Sequence, residues 1–376
     1  MTLILLLATL SSVTPLAIDM YLPSIPNMAQ VFGVQINKIE LTVSIFLIFF
    51  AIGQLVGGIL SDRIGRKKIV LLGMFGFSFS SFTLYFCTSL EVLYIFRATQ
   101  AFFGAMSAVN ASAIVRDLFH GKEAAKIFSS IAAIMMIAPM IAPALGSLVI
   151  SFFSWNYIFL FIGVYSLIIF ILMYLKLPIT GSKSNVKIKE AYKKVLTHKK
   201  AMGYVLALSF AFTGMFIFIE KSSFIYMEYF AISQEYFPLF FGANVLMMII
   251  LTRVSIKLIQ TIQTKTVLKL GIYLQVFSGL ALVGFSFEAS IYTIFASLVL
   301  YIGSLGFIFG NAISLALDSF KNDLGVANSV IGVVQFSIAG SIGFLASLIH
   351  TNELTTIFLM MLATSTLALI SLRLCK

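Results

Sequence analysis

Twelve apolar runs of roughly 20 residues recur along this 376-residue chain, each long enough to cross a hydrocarbon core of about 30 Å as a helix. They lie near residues 1–22, 41–60, 69–86, 90–115, 127–150 and 155–175, then near 202–219, 237–258, 267–286, 290–316, 325–349 and 354–374. Backbone N–H and C=O groups find no water in lipid, so such runs close their hydrogen bonds internally as helices. Only 10% of the residues are charged, against about 25% in a soluble domain. The first run lacks the basic start of a signal peptide, and Asp19 would interrupt a cleavable apolar core, so it reads as a retained helix. The expected fold is an all-α integral membrane protein with 12 transmembrane helices.

The apolar rhythm stops once. Residues 177–200 form a basic, polar linker containing Gly181-Ser-Lys-Ser-Asn185. It divides the chain into two six-helix bundles, 1–176 and 201–376, a repeat at the level of hydropathy. With the linker and both termini placed in the cytoplasm, all but three of the 25 Lys and Arg residues fall in inner segments. The exceptions are Lys38 and Lys221, on the outer side, and Arg97, inside a span. That bias is the positive-inside rule. It accounts for the net charge of +11 without nucleic acid. Cys87 and Cys375 stand far apart, and His120, His198 and His350 are scattered, so neither a disulfide framework nor a metal site is expected.

Three features inside the spans can carry chemistry. Asp19 lies near the outer end of the first run, about 6 Å deep at the helical rise. An ionised carboxylate in a membrane span costs about 3 kcal/mol on the mildest scale, so such a residue faces a partner or a wet cavity and can carry a proton. The competing reading is an interfacial Asp exposed to outer water ahead of Pro23. Arg97 lies about 10 Å into the fourth run, in the same outer half. It holds its proton too firmly to transfer it, so it would tune a nearby acid; the alternative is an Arg that snorkels to the interface. Pro139 and Pro143, with Gly146, share one face of the fifth run. They point to a bend or smooth face suited to conformational change, or to a plain kink. Glu220, beside Lys221 at the expected outer end of the seventh run, is a further acid candidate, with an interfacial ion pair as the other reading.

Between the second and third runs lies Gly58-Ile-Leu-Ser-Asp62-Arg63-Ile-Gly65-Arg66-Lys67-Lys68, a glycine-bounded basic loop. The eleventh run opens with Gly325-Val-Ala-Asn-Ser329. Asp62 is expected to dock against the positive end of that helix, a cytoplasmic gate contact worth roughly 1 kcal/mol if exposed.

Together these features resemble a 12-helix drug:proton antiporter of the major facilitator superfamily. The loop from Gly58 to Lys68 matches the superfamily's pattern G-x-L-x-D-R-x-G-R-K. Ala17-Ile-Asp19-Met-Tyr21-Leu-Pro23-Ser-Ile-Pro26 resembles the first-helix signature of the bicyclomycin/chloramphenicol-resistance (Bcr/CflA) branch. Arg97-Ala-Thr-Gln100 resembles R-x-x-Q-G with Ala101 for its Gly. Ala142-Pro143-Ala-Leu-Gly146-Ser147 resembles the antiporter motif G-P-x-x-G-G with Ala and Ser at its ends. The resemblance implies export driven by inward proton movement, with Asp19 in the coupling region and Arg97 as its regulator.

The function expected is proton-coupled efflux of drug-like small molecules across the bacterial inner membrane by alternating access. The alternative is a proton-coupled importer or facilitator of a small metabolite on the same fold. Substrate contacts are expected from Tyr21, Gln54, Gln100, Asn110 and Met136 in the first half and from Phe216, Asn244, Asn311 and Gln335 in the second. Met and aromatic lining suits apolar or amphipathic ligands, although each of these residues can equally serve helix packing. The partners implied are the substrate, protons and the bilayer, acting on a monomer, with the proton gradient in place of any cofactor. An ATP-driven pump is excluded by the lack of G-x-x-x-x-G-K-[ST]. No clustered nucleophiles, ligands or paired carboxylates in the spans suggest an enzyme.

Overall fold

The computed structural model describes residues 3–179, 188–320, 324–348 and 353–375. The Gly181–Asn185 run, Lys187, Lys321, His350 and Lys376 lie outside them. The described residues are almost entirely helical, and twelve spans are long and apolar enough to cross a membrane. This is a multi-pass membrane protein. The chain falls into two compact units, Met1–Val186 and Lys187–Lys376.

In the first unit, α1 (Leu3–Asp19) and α2 (Ile25–Phe32) form one span joined by a 3-10 turn at Leu22–Ser24. Next come α3 (Ile36–Ile64), α4 (Arg66–Tyr85), α5 (Leu90–Leu118), α6 (Gly121–Phe152) and α7 (Asn156–Lys176). The prolines that were expected to end the first span only interrupt it. Pro26 sits in the first turn of α2, where its missing N–H would have no intrahelical partner. The span then runs to Gly33, whose φ of 63° closes it in the left-handed region. This corrects the depth of Asp19. It lies 13 residues from the end of the span at Phe32, about 20 Å along the axis, so it is a mid-span acid.

Small residues set the helix contacts. A Cβ at Gly53 would overlap the Phe102 carbonyl, and one at Gly57 would lie 2.6 Å from Met106 Cα. Thus α3 and α5 meet backbone to backbone, the arrangement small-xxx-small pairs permit in membranes. The segment read as a basic loop is helical apart from one residue. Gly65, with φ of 99°, is the whole joint between α3 and α4.

In the second unit, α8 (Ile188–Thr197) occupies part of the basic linker. Then follow α9 (Lys199–Ser223), α10 (Phe237–Leu258), α11 (Thr264–Phe285), α12 (Ile291–Gly303), α13 (Leu305–Leu317), α14 (Leu324–Leu348) and α15 (Leu354–Ser371). The core joins Leu208 and Ala211 of α9 to Ile272, Ile308, Ile331 and Ala368 on four other helices. The seventh span was expected to stop before Glu220. Instead α9 passes through it into a π-helical turn, Phe224–Tyr229. The charged pair interrupts an apolar run that Phe224-Ile225-Tyr226 resumes. Large apolar side chains such as Phe75, Phe79, Phe152, Leu239 and Phe277 are exposed. In water such an array would mark a binding or aggregation surface; in a bilayer it meets acyl chains.

Candidate functional site

Helix breaks inside a membrane span expose backbone groups that something else must satisfy. The break in the first span does so in the middle of the first unit. Pro23 has no N–H to offer the carbonyl of Asp19, four residues earlier. The chain turns instead: the Ser24 N–H and hydroxyl both donate to Tyr21 O, at 2.8 and 2.6 Å. Asp19 is therefore the last residue of α1, at the end where the helix dipole disfavours added negative charge. It is 4% exposed, and its Oδ1 finds no hydrogen-bond partner among the described residues.

Arg97 of α5 caps this helix end from outside. It is fully buried, and its Nη1 donates to Ala17 O at 2.9 Å and to Gln100 Oε1 at 2.8 Å. A cation on the last-turn carbonyls is favourable both as a hydrogen bond and against the dipole. The guanidinium lies over the Tyr21 ring at 4.4 Å and the Phe46 ring at 4.7 Å, contacts that partly replace lost hydration. Gln100 in turn donates to Ser81 Oγ of α4 at 2.8 Å, and the Tyr21 hydroxyl pairs with Thr42 Oγ1 of α3 at 2.8 Å. Arg97 and Asp19 are thus brought to the same break. Arg97 holds the helix that carries Asp19 by its backbone, through Ala17 O. The snorkelling alternative does not fit a fully buried guanidinium.

The fifth span contributes its small face. Pro143 and Gly146 of α6 are buried and Pro139 half-buried. A Cβ at Gly146 would overlap the carbonyl oxygen of Met20, the residue after Asp19. Five helices therefore converge on the break: Thr42 and Phe46 from α3, Ser81 from α4, Arg97 and Gln100 from α5, Gly146 from α6, and Phe159 from α7, 5.9 Å from the guanidinium.

At the other end of α3, Arg66 pairs with Asp62 at 3.6 Å and more closely with Asp117 on the last turn of α5. Gly58 is half-buried, Arg63 exposed and Lys67 half-buried. Asp117, which the sequence reading did not single out, completes this cluster.

The remaining candidates are scattered. Asn110, Asn244 and Asn311 each donate to the carbonyl four residues back, at 2.7–2.8 Å. Asn311 also reaches Ser255 Oγ at 2.8 Å, tying α13 to α10. Gln54 Oε1 is buried and finds no hydrogen-bond partner among the described residues. Met136 is half-buried. Phe216 stacks near Phe212, which also meets Phe309 and Phe336 from α13 and α14 at 6.1 and 5.5 Å, and Gln335 is buried beside them in sequence. Glu220 and Lys221 are buried, at 2% and 7% exposure, and so are not interfacial. Glu40, 1% exposed near the start of α3, was missed. The spacing Asn37, Glu40, Ser44 places three polar residues on one helical face and could have revealed it.

The chain matches the sequence profile of the Major Facilitator Superfamily over residues 7–344. It is 30% identical over 351 residues to a bicyclomycin resistance protein homolog of Haemophilus influenzae, covering 92% of this chain and 88% of that protein. It is 34% identical over 161 residues to a chloramphenicol resistance protein of Pseudomonas aeruginosa, covering 43% of this chain and 38% of that one. Its fold superposes with a TM-score of 0.76 on the xylose transporter XylE from E. coli in a partially occluded inward-open conformation, at 14% identity, covering 97% of this chain and 95% of that one.

Proposed function

The chain belongs to the major facilitator superfamily, and we propose that it is a proton-coupled antiporter that exports drug-like small molecules across the bacterial inner membrane. The observation that carries this reading is Asp19: a mid-span carboxyl with a buried oxygen lacking a hydrogen-bond partner among the described residues, at a helix end that Arg97 holds. A carboxyl there can exist as the acid or as the carboxylate, and the two forms differ in what the broken span needs around it. A proton on Asp19 and a bound apolar or amphipathic compound would favour different states, so each drives release of the other. Arg97 fixes the geometry and keeps its own proton. The proton gradient supplies the energy without a cofactor, and a single chain suffices. That the cargo is drug-like is supported by relatives named for bicyclomycin and chloramphenicol resistance.

The test is proton release from the purified, detergent-solubilised protein in weak buffer on addition of chloramphenicol or bicyclomycin. Wild type should release protons on binding. Asp19→Asn should bind without release. Binding to wild type with no release, or with uptake, would remove the antiport mechanism and leave a facilitator or a symporter.

A further inference from the structure

The basic segment between the two apolar halves does more than connect them. Its helix, α8, reads Ile-Lys-Glu-Ala-Tyr-Lys-Lys-Val-Leu-Thr. Val195 is buried with Ala201 of α9, Phe320, and Ala327 and Val330 of α14, and Tyr192 packs on the same cluster. The Tyr192 hydroxyl lies 3.1 Å from Ser329 Oγ. His198 separates α8 from α9; its Nδ1 accepts the Ala201 N–H at 3.2 Å, and its ring meets Phe320 edge-on at 5.2 Å. The helix is therefore pinned at two points, to the first turns of two membrane spans. A helix so held runs beside the starts of α9 and α14.

The residues it turns away from this cluster are of two kinds. Leu196 is 50% exposed. Lys193, three residues before it and on the same side of the helix, is exposed, as are Lys199 and Lys200 at the start of α9. The acid carried by α8 itself is Glu190. An exposed apolar side chain with lysines before and after it, on a helix packed against the starts of two spans, matches the boundary between acyl chains and anionic headgroups. A soluble anion would use the lysines and have no use for Leu196.

We propose that this face of α8 is a docking surface for anionic phospholipid headgroups, with Leu196 in the acyl boundary and Lys193, Lys199 and Lys200 on the phosphates. Because α8 is fixed to Ser329 and Ala327, such docking would also hold the start of α14 against the membrane surface. The proposal does not depend on proton coupling.

The full-length protein is placed in phosphatidylcholine nanodiscs with or without phosphatidylglycerol. Cys87 and Cys375 are buried, so a single environment-sensitive dye at Leu196→Cys reports on this face. Its emission should shift to the blue, and its quenching by aqueous iodide should fall, when phosphatidylglycerol is present. On the chain with Leu196 intact, native mass spectrometry should show preferential retention of phosphatidylglycerol over phosphatidylcholine. Replacing Lys193, Lys199 and Lys200 by Gln should weaken that preference by about 5-fold per lysine. Equal quenching in both lipids, unchanged retention by the triple variant, or displacement of the lipid by inorganic phosphate at constant ionic strength would each overturn the proposal.

Discussion

If Arg97 holds the end of α1 by geometry, then a substitution that keeps its charge should harm the protein more than one that removes it. Arg97→Lys puts a shorter, non-planar ammonium in place of a guanidinium whose terminal Nη1 reaches both Ala17 O and Gln100 Oε1 and whose plane lies over the Tyr21 and Phe46 rings. A hydrogen bond from a charged donor contributes about 1.5–3 kcal/mol, and a desolvated cation–π contact about 1–2 kcal/mol. Losing one bond and the stacking, with the charge still buried, should cost about 2.5–5 kcal/mol. For a unit of this size that is about 5–20 °C in thermal midpoint. Arg97→Met removes the buried charge along with its partners. It leaves Ala17 O without this donor but also removes two guanidinium nitrogens, Nε and Nη2, that find no hydrogen-bond partner among the described residues. Replacing a buried charge by an apolar chain of similar volume is often near neutral, so its midpoint should lie within about 2 kcal/mol of wild type, yet export should fail. Trp155, the one tryptophan, packs against Phe159 with ring centroids 6.1 Å apart and provides the fluorescence signal in detergent. If Lys proves as stable as wild type, or Met the least stable of the three, the reach and planarity of the guanidinium are not what secures the helix end.

Gly57→Ala should lower the thermal midpoint by about 1–3 kcal/mol equivalent, because the added carbon meets Met106 Cα, whereas Gly310→Ala, with nothing within 4 Å of its Cβ position, should leave it unchanged or raise it; equal effects would refute the close α3–α5 contact. Gly65→Ala should cost about 1–2 kcal/mol through its φ of 99°, read as a lower melting temperature with α3 and α4 otherwise intact. Burial pushes the thiol of Cys87, which lies between spans, above its ordinary range. Since the thiolate is the reactive form, maleimide should label it more slowly at neutral pH than a cysteine placed at exposed Phe86. The gap should narrow as pH rises; labelling at equal rates at neutral pH would contradict this.

Much of the architecture is visible in a hydropathy pattern because lipid imposes a simple condition: a span must be apolar outside and hydrogen-bonded within. The eighth span, for example, begins and ends where the apolar run does, at Phe237 and Leu258. Boundaries were misread wherever a polar or breaking residue sat inside the protein instead of at its edge. Pro23 and Pro26 looked like the end of the first span because proline ends helices in isolation. They are accommodated because the chain turns at Leu22–Ser24, where Ser24 donates to Tyr21 O, and because Arg97 donates to Ala17 O on the last turn of α1. Glu220 and Lys221 looked interfacial because exposed charge is the ordinary case.

The candidate site shows the same division. Residue types alone drew attention to Asp19, Arg97 and Gly146, since acids, arginines and proline–glycine faces in spans are costly and so demand a reason. Sequence alone also determined the twelvefold apolar repeat and the gathering of cations in alternate connections, because both follow from the chemistry of single side chains against lipid and water. Only the tertiary structure decided that Arg97 grips a backbone carbonyl of α1, that Gly146 seats against Met20, and that α8 is pinned beside Ser329. Those are distances between residues far apart in the chain, and they depend on how helices pack, which no local pattern encodes.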